Sequence, residues 1–157
     1  MATRADVVAE AARWVGTPYH HQARVRGVGV DCAQLVAGVA EAVGLIPAGT
    51  PVPHDYSPEW HLHSRGELLV ANLEAFGCVR LARPEDARPG DVLAFRFGRS
   101  VGHLGILLEG GLFVHARVDN GRVVVNSLST DSASRAGFWA DRHEATYALP
   151  GLTENIT

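Results

Sequence analysis

A chain of 157 residues and 16.8 kDa is long enough for one domain, 1–157, built around a single hydrophobic core. Its 46% hydrophobic and 20% charged residues are ordinary for a globular protein and exclude a collagen-like, coiled-coil or disordered chain. With a formal net charge of −3 and no basic stripe, it carries no electrostatic footprint for nucleic acid. No apolar run reaches the length of a membrane span, so membrane insertion is not expected. The opening Met1-Ala-Thr-Arg-Ala-Asp6 lacks a basic region followed by an apolar core, the mark of a secretory signal. The expectation is synthesis and folding in the cytosol, with delivery by something else if the target lies outside. The scattered arginines, Arg4 and Arg13 among them, read as surface solvation.

Thr3 to Val15 reads as a first helix, capped by Thr3 with Asp6 three residues on. Val7, Ala11, Trp14 and their neighbours form its apolar stripe, and Gly16-Thr-Pro18 ends it. Tyr19 to Val30 reads as an irregular loop. Asp31 opens a second helix with Leu35, Val36, Val39 and Val43 on one face, stopping at Gly44. Ile46 to Pro58 shows no period. A third helix is expected over Pro58–Phe76, with Trp60 and Leu73 facing inward and Gly77 as its stop.

The pattern then changes to strands. Cys78–Leu81, Val92–Phe97 after the Arg88-Pro-Gly-Asp91 turn, and Gly102–Leu108 come first. Gly110-Gly111 signals a hairpin into Leu112–Arg117, and Asn120-Gly121 a second hairpin into Arg122–Leu128. Thr146–Leu149 closes the sheet. Helices followed by an antiparallel meander predict an α+β domain with N-terminal helices packed on one side of the sheet.

Chemistry is carried by few residues. Cys32 stands at the start of a helix, where free N–H groups and the macrodipole favour a thiolate and lower the thiol pKa. A nucleophile of that kind is expected to react with iodoacetamide well below pH 8. Cys78 sits in an apolar strand and reads as core. His103 interrupts an apolar strand just after a glycine, and His115 lies on the next strand. The hairpin sets His103 opposite Arg117 or Val118, with His115 within one diagonal step, and one register puts both rings on the same face. A cysteine hydrolase needs a base beside the sulfur and a third polar group to orient the base. Tyr19 precedes the nucleophile loop and either donates its O–H to the reaction centre or anchors the loop. His20 and His21 line the same cleft, whereas His54, His61, His63 and His143 read as solvated. The His61-x-His63 pair is a poor zinc signature, and no CxxC or HExxH occurs.

Five motifs in order resemble NlpC-type cell-wall peptidases: Gly16-Thr-Pro-Tyr19, Gly29-Val-Asp-Cys32, Arg88-Pro-Gly-Asp91-Val-Leu-Ala-Phe95, Gly102-His-Leu-Gly-Ile106 and Phe113-Val-His-Ala116. The stretches Tyr19-His-His-Gln-Ala-Arg24 and Gly27-Val-Gly-Val-Asp-Cys32 resemble the branch found in phage tail modules and gene transfer agents. The resemblance implies a papain-like fold, with Cys32 as nucleophile, His103 as general base and His115 as its orienting group. It implies a cleft with substrate contacts at Tyr19, Asp31, Ala33 and Gln34, no metal or other cofactor, and peptidoglycan stem peptides as substrate. Many members follow the cysteine with Ser-Gly. Here Ala33-Gln34 stands there, a departure that bears on bond specificity more than on catalysis, and Gln34 offers a replacement amide. The resemblance further implies phage-like tail or baseplate proteins as partners and a place in a particle tail acting at the cell wall. Two rivals are a catalytically silent tail-tip protein of the same fold and a zinc amidase using several histidines.

Overall fold

The computed structural model describes residues 1–53, 67–129 and 137–153. Helix α1 is Arg4–Arg13. Its Thr3 side chain accepts the Asp6 N–H and the Asp6 carboxylate accepts the Thr3 N–H, so the expected capping box forms. Such a cap is worth about 1 kcal/mol. The loop that follows is more ordered than its sequence suggests. It contains a small antiparallel ribbon, β1 (Arg24–Val25) with β2 (Gly29–Val30). Helix α2, Cys32–Ala42, starts directly after β2 and is buried over most of its length. Part of the expected third helix, with Trp60, His61 and His63, lies outside the described residues, and so does His54 ahead of it. The described part is α3, Leu68–Ala75.

The sheet has six strands in the order β3-β8-β4-β5-β6-β7, all neighbours antiparallel. These are β3 (Val79–Arg80), β4 (Val92–Phe97), β5 (Ser100–Leu107), β6 (Leu112–Arg117), β7 (Arg122–Ser127) and β8 (His143–Ala148). β4 to β7 form the expected meander. β8 does not extend that meander at its end. It inserts between β3 and β4, where Tyr147 opposes Val92 and Ala145 opposes Ala94. A short helix unforeseen in the sequence, α4 (Phe138–Arg142), leads into β8.

Strand alternation divides the core in two. Val92, Ala94, Leu104, Ile106, Val114 and Ala116 turn to one face and pack with α1, α2 and α3. Leu93, Phe95, Leu107 and Phe113 turn to the other and pack on Trp139 of α4. The helix α2 lies close against α1 because position 38 has no side chain: a Cβ there would sit 2.6 Å from the Trp14 ring. Among the described residues no helix is long and apolar enough to cross a membrane.

One arginine departs from the surface reading. Arg4 is buried in α1 and donates from Nη1 to Asp91 Oδ1 at 2.8 Å and to Pro89 O at 3.0 Å. Asp91 is fully buried and its Oδ2 accepts the Arg88 N–H at 2.9 Å. The pair ties the first helix to the turn that starts β4.

Candidate active site

Three stretches of backbone converge to place the cysteine. The segment after α1 pairs with the β7 edge: Gly16 N–H donates to Val123 O, Val123 N–H to Thr17 O, and Tyr19 N–H to Gly121 O. The same segment grips β2, with Val30 N–H on Pro18 O and His20 N–H on Val30 O. Val30 precedes Asp31 and Cys32, so the helix tip is fixed against the sheet. Asp31 is the N-cap of α2, and its buried Oδ1 accepts the Gln34 N–H at 2.9 Å. Its Oδ2 accepts the Gln22 N–H at 2.6 Å and has His21 Nδ1 at 3.5 Å. Asp31 thus holds the loop and helix together.

The Cys32 thiol is buried, 9% exposed. The backbone N–H groups of Cys32, Ala33 and Leu104 lie beside it and favour its charged form. The first two are free donors of the helix N-terminus. The third belongs to β5, in the residue after His103. β5 and β6 pair at Ile106–Val114 and Leu107–Phe113, so the edge of β5 ahead of Ile106 is open to the helix tip. Charge on this sulfur is not favoured as the sequence suggested. Burial, and then the Asp31 carboxylate, push the thiol up to about 12, against the pull of those three N–H groups. The expected low-pKa thiolate is therefore not the resting state: the helix-tip effect is present, but dehydration and a neighbouring anion exceed it. Rapid alkylation well below pH 8 is not expected of such a buried neutral thiol. Burial, with the same two acidic neighbours, Cys32 and Asp31, also raises the Tyr19 hydroxyl above its ordinary value, so it keeps its proton.

The β5–β6 register carried on toward His103 meets Arg117, and both histidines fall on one face, the Trp139 side. His103 Nε2 and His115 Nδ1 are 2.8 Å apart. His115 Nε2 continues to Asn126 Oδ1 at 2.6 Å. A β-bulge adjoins the first ring: Phe95 opposes His103 and Arg96 opposes Val101, which leaves Gly102 as the extra residue. Gly105 makes room for the second, since a Cβ there would lie 2.9 Å from Phe113 and 3.4 Å from the His115 Cβ. Trp139 covers both rings, with centroids at 5.6 Å from His103 and 4.8 Å from His115. Phe95 and Phe113 complete the enclosure.

Burial in this aromatic box lowers the His115 pKa to about 4, the Asn126 hydrogen bond resisting and Arg117 assisting the shift. The ring is neutral near pH 7. The unfolded chain binds its proton below about pH 6.5, while the folded chain does so only near pH 4. Stability present above pH 6.5 is therefore lost as the pH falls, by about 3 kcal/mol on reaching pH 4. Urea unfolding at pH 7 and pH 4 should show this fall, and His115→Gln should lose that part of it. An equal fall in both proteins would remove His115 as the cause.

The other sequence candidates are placed as follows. Ala33 is fully buried in the core. Gln34 is buried, and its Oε1 accepts from Arg24 Nε at 2.7 Å. Arg24 also pairs with Glu41 at 3.0 Å, so the Gln34 amide is tied into an ion-pair network beside the helix. Cys78 is buried and unpaired with Cys32, both thiols being free. His143 is not solvated as expected. It is partly buried, pairs with Thr146 Oγ1 at 2.8 Å, and its pKa is lowered by that burial. Asn126 and Trp139 are site residues missed at the sequence level. Asn126 had the same signal as His103, a polar side chain interrupting an apolar strand, but Trp139 had none. Among the described residues no three His, Cys, Asp or Glu side chains gather as a metal site would require.

Comparison with known proteins bears on this arrangement. The sequence model of the NlpC/P60 family matches residues 16–142. The Gamma-DL-glutamyl hydrolase of Bacillus subtilis (strain 168) is 25% identical over 150 residues, covering 94% of this chain and 30% of that protein. The chain thus spans under a third of that relative's length. The NlpC/p60 domain of the peptidoglycan hydrolase SagA superposes with a TM-score of 0.56 at 23% identity, over 81% of this chain and 91% of that one. An NlpC/P60 family protein from Bacillus cereus ATCC 10987 gives 0.61 at 19% identity, over 94% of this chain and 41% of that one. At such identities the likeness is one of fold: a papain-like α+β domain, as the sequence implied. Matched by that model over most of its length, the chain belongs to the NlpC/P60 family.

Proposed function

We propose that this protein is a cysteine peptidase that hydrolyses peptide bonds in bacterial peptidoglycan. The carrying observation is the Cys32 thiol at the tip of α2, set beside the Leu104 N–H of β5 one residue from His103, with His103 linked on to His115. The sulfur begins protonated. His103 takes that proton as the sulfur attacks the scissile carbonyl, which gives a tetrahedral oxyanion and an imidazolium. The Cys32 N–H and the Tyr19 O–H serve as oxyanion donors; one such donor is worth about 3 kcal/mol. His103 then gives its proton to the leaving amine, and the C–N bond breaks to leave a thioester. Water, deprotonated by His103, hydrolyses the thioester and restores the thiol. No step calls for a metal.

The substrate class follows from the family and from the peptidoglycan hydrolase whose domain this fold resembles. The stretches Tyr19–Arg24 and Gly27–Cys32 support a finer placement. In it the enzyme rides in a phage-like tail, binds tail or baseplate proteins, and opens the wall during entry. Co-sedimentation with assembled particles tests that placement, and absence from particles rejects it.

The activity itself is tested by digesting purified peptidoglycan with wild type, with Cys32→Ala and with EDTA added. Mass spectrometry should find new peptide ends with the wild type alone or with EDTA, and none with the variant. The buried, protonated thiol favours one second reading, a structural tail protein that keeps the fold without turnover. A wild type that releases no fragments would establish it.

A further inference from the structure

The polar chain at the site does not end at the second histidine, and its far end fixes how protons are arranged along it. Asn126 lies on β7, where Val124 opposes His115, so it is the diagonal neighbour of that ring. Its Oδ1 stands 2.6 Å from His115 Nε2. A carbonyl oxygen only accepts, so His115 Nε2 must carry a proton. A neutral ring so protonated has its lone pair on Nδ1. That atom is 2.8 Å from His103 Nε2, which must then be the donor. The lone pair of neutral His103 is left on Nδ1. With the amide turned over, every one of these assignments would reverse and the base would present a proton to the sulfur.

We propose that Asn126 is a positioning residue that sets the tautomers of both histidines, through a one-way chain from Asn126 Oδ1 to the Nδ1 lone pair of His103. This rests on the reading of His103 as the base. The chain carries no carboxylate. Its end is a neutral amide, which brings no anion to hold an imidazolium, whereas an aspartate in that place would favour one on His115. The surrounding Trp139, Phe113 and Phe95 rings suit a neutral relay, because they supply no counter-charge.

The test is imidazole nitrogen NMR on the uniformly ¹⁵N-labelled full chain at pH 7.5, with rates on peptidoglycan measured alongside. In the wild type both His103 and His115 should be protonated on Nε2 and bare on Nδ1. Asn126→Leu should convert His115 to a mixture of tautomers and lower kcat/KM by roughly 10²-fold. Asn126→Asp keeps only the accepting function. It should restore the Nε2–H tautomers and most of the rate, while moving the acid limb of the pH profile upward. A wild-type Nδ1–H on either ring, or tautomers unchanged in Asn126→Leu, would overturn the assignment. The spectra are read without turnover. Correct tautomers in a wild type that cleaves nothing would therefore reject the peptidase reading and leave the role of Asn126 standing.

Discussion

Cys32→Ala is expected to slow release of peptides from peptidoglycan by at least about 10⁴-fold, with folding preserved. The magnitude follows from what is lost. Without the sulfur no thioester forms, and the remaining donors and histidines can only bind substrate and polarise its carbonyl. His103→Ala should come close to the same floor, and the double variant should fall little further, because residues that act as one unit do not add. Stability is the control. The change removes one buried sulfur from a helix tip whose cap, Asp31 on the Gln34 N–H, is untouched. A cost of about 1 kcal/mol moves Tm by only a few degrees. Equal rates in wild type and Cys32→Ala, with both folded, would mean that the sulfur is not the nucleophile.

The second large effect is on folding. Asp91→Ala should destabilise the protein by about 3–5 kcal/mol, a fall in Tm of roughly 10 °C. The carboxylate is wholly buried and accepts from Arg4 Nη1 and the Arg88 N–H. Its removal takes a 2.8 Å ion-pair partner from Arg4, a residue only 8% exposed. The penalty is that of taking a carboxylate away from a buried charge, not the worth of the ion pair. Replacing both members by apolar residues, Arg4→Met with Asp91→Leu, should therefore recover most of the loss. Thermal unfolding of the single and double variants decides it. A double variant as unstable as the single one would show that the pair itself, rather than the charge left behind, holds α1 to β4.

Much of this architecture could be read from local signals. The Thr3–Asp6 cap and the Gly110-Gly111 and Asn120-Gly121 turns are short-range chemistry; the first turn carries the register that brings His103 and His115 to one face, and the second pairs β6 with β7. What escaped notice was set by distant parts of the chain. A strand pattern at His143–Ala148 says nothing about which edge it joins, and only the packed sheet places it between β3 and β4. Arg4 looked like every other arginine until Asp91, 87 residues away, met it. The thiol was judged from its helix alone, and its burial depends on β5 and the Tyr19 loop. Asn126 carries a readable sign, a polar side chain in an otherwise apolar strand, but its place beside His115 depends on the pairing of β6 with β7.

The position of β8 governs when the protein can begin to work. A ribosome making this chain delivers β4 to β7 well before residues 143–148. Until those emerge, one side of β4 has no ladder partner, and β3 has nothing to pair with, since β8 joins them both. Trp139, which covers the paired imidazoles, is translated just ahead of β8. Long-range pairings of this kind form late and slowly. A chain made only as far as β7 therefore has its sulfur and both imidazoles but lacks the ring that covers them, so synthesis itself delays assembly of the site until residues 139–148 have been added.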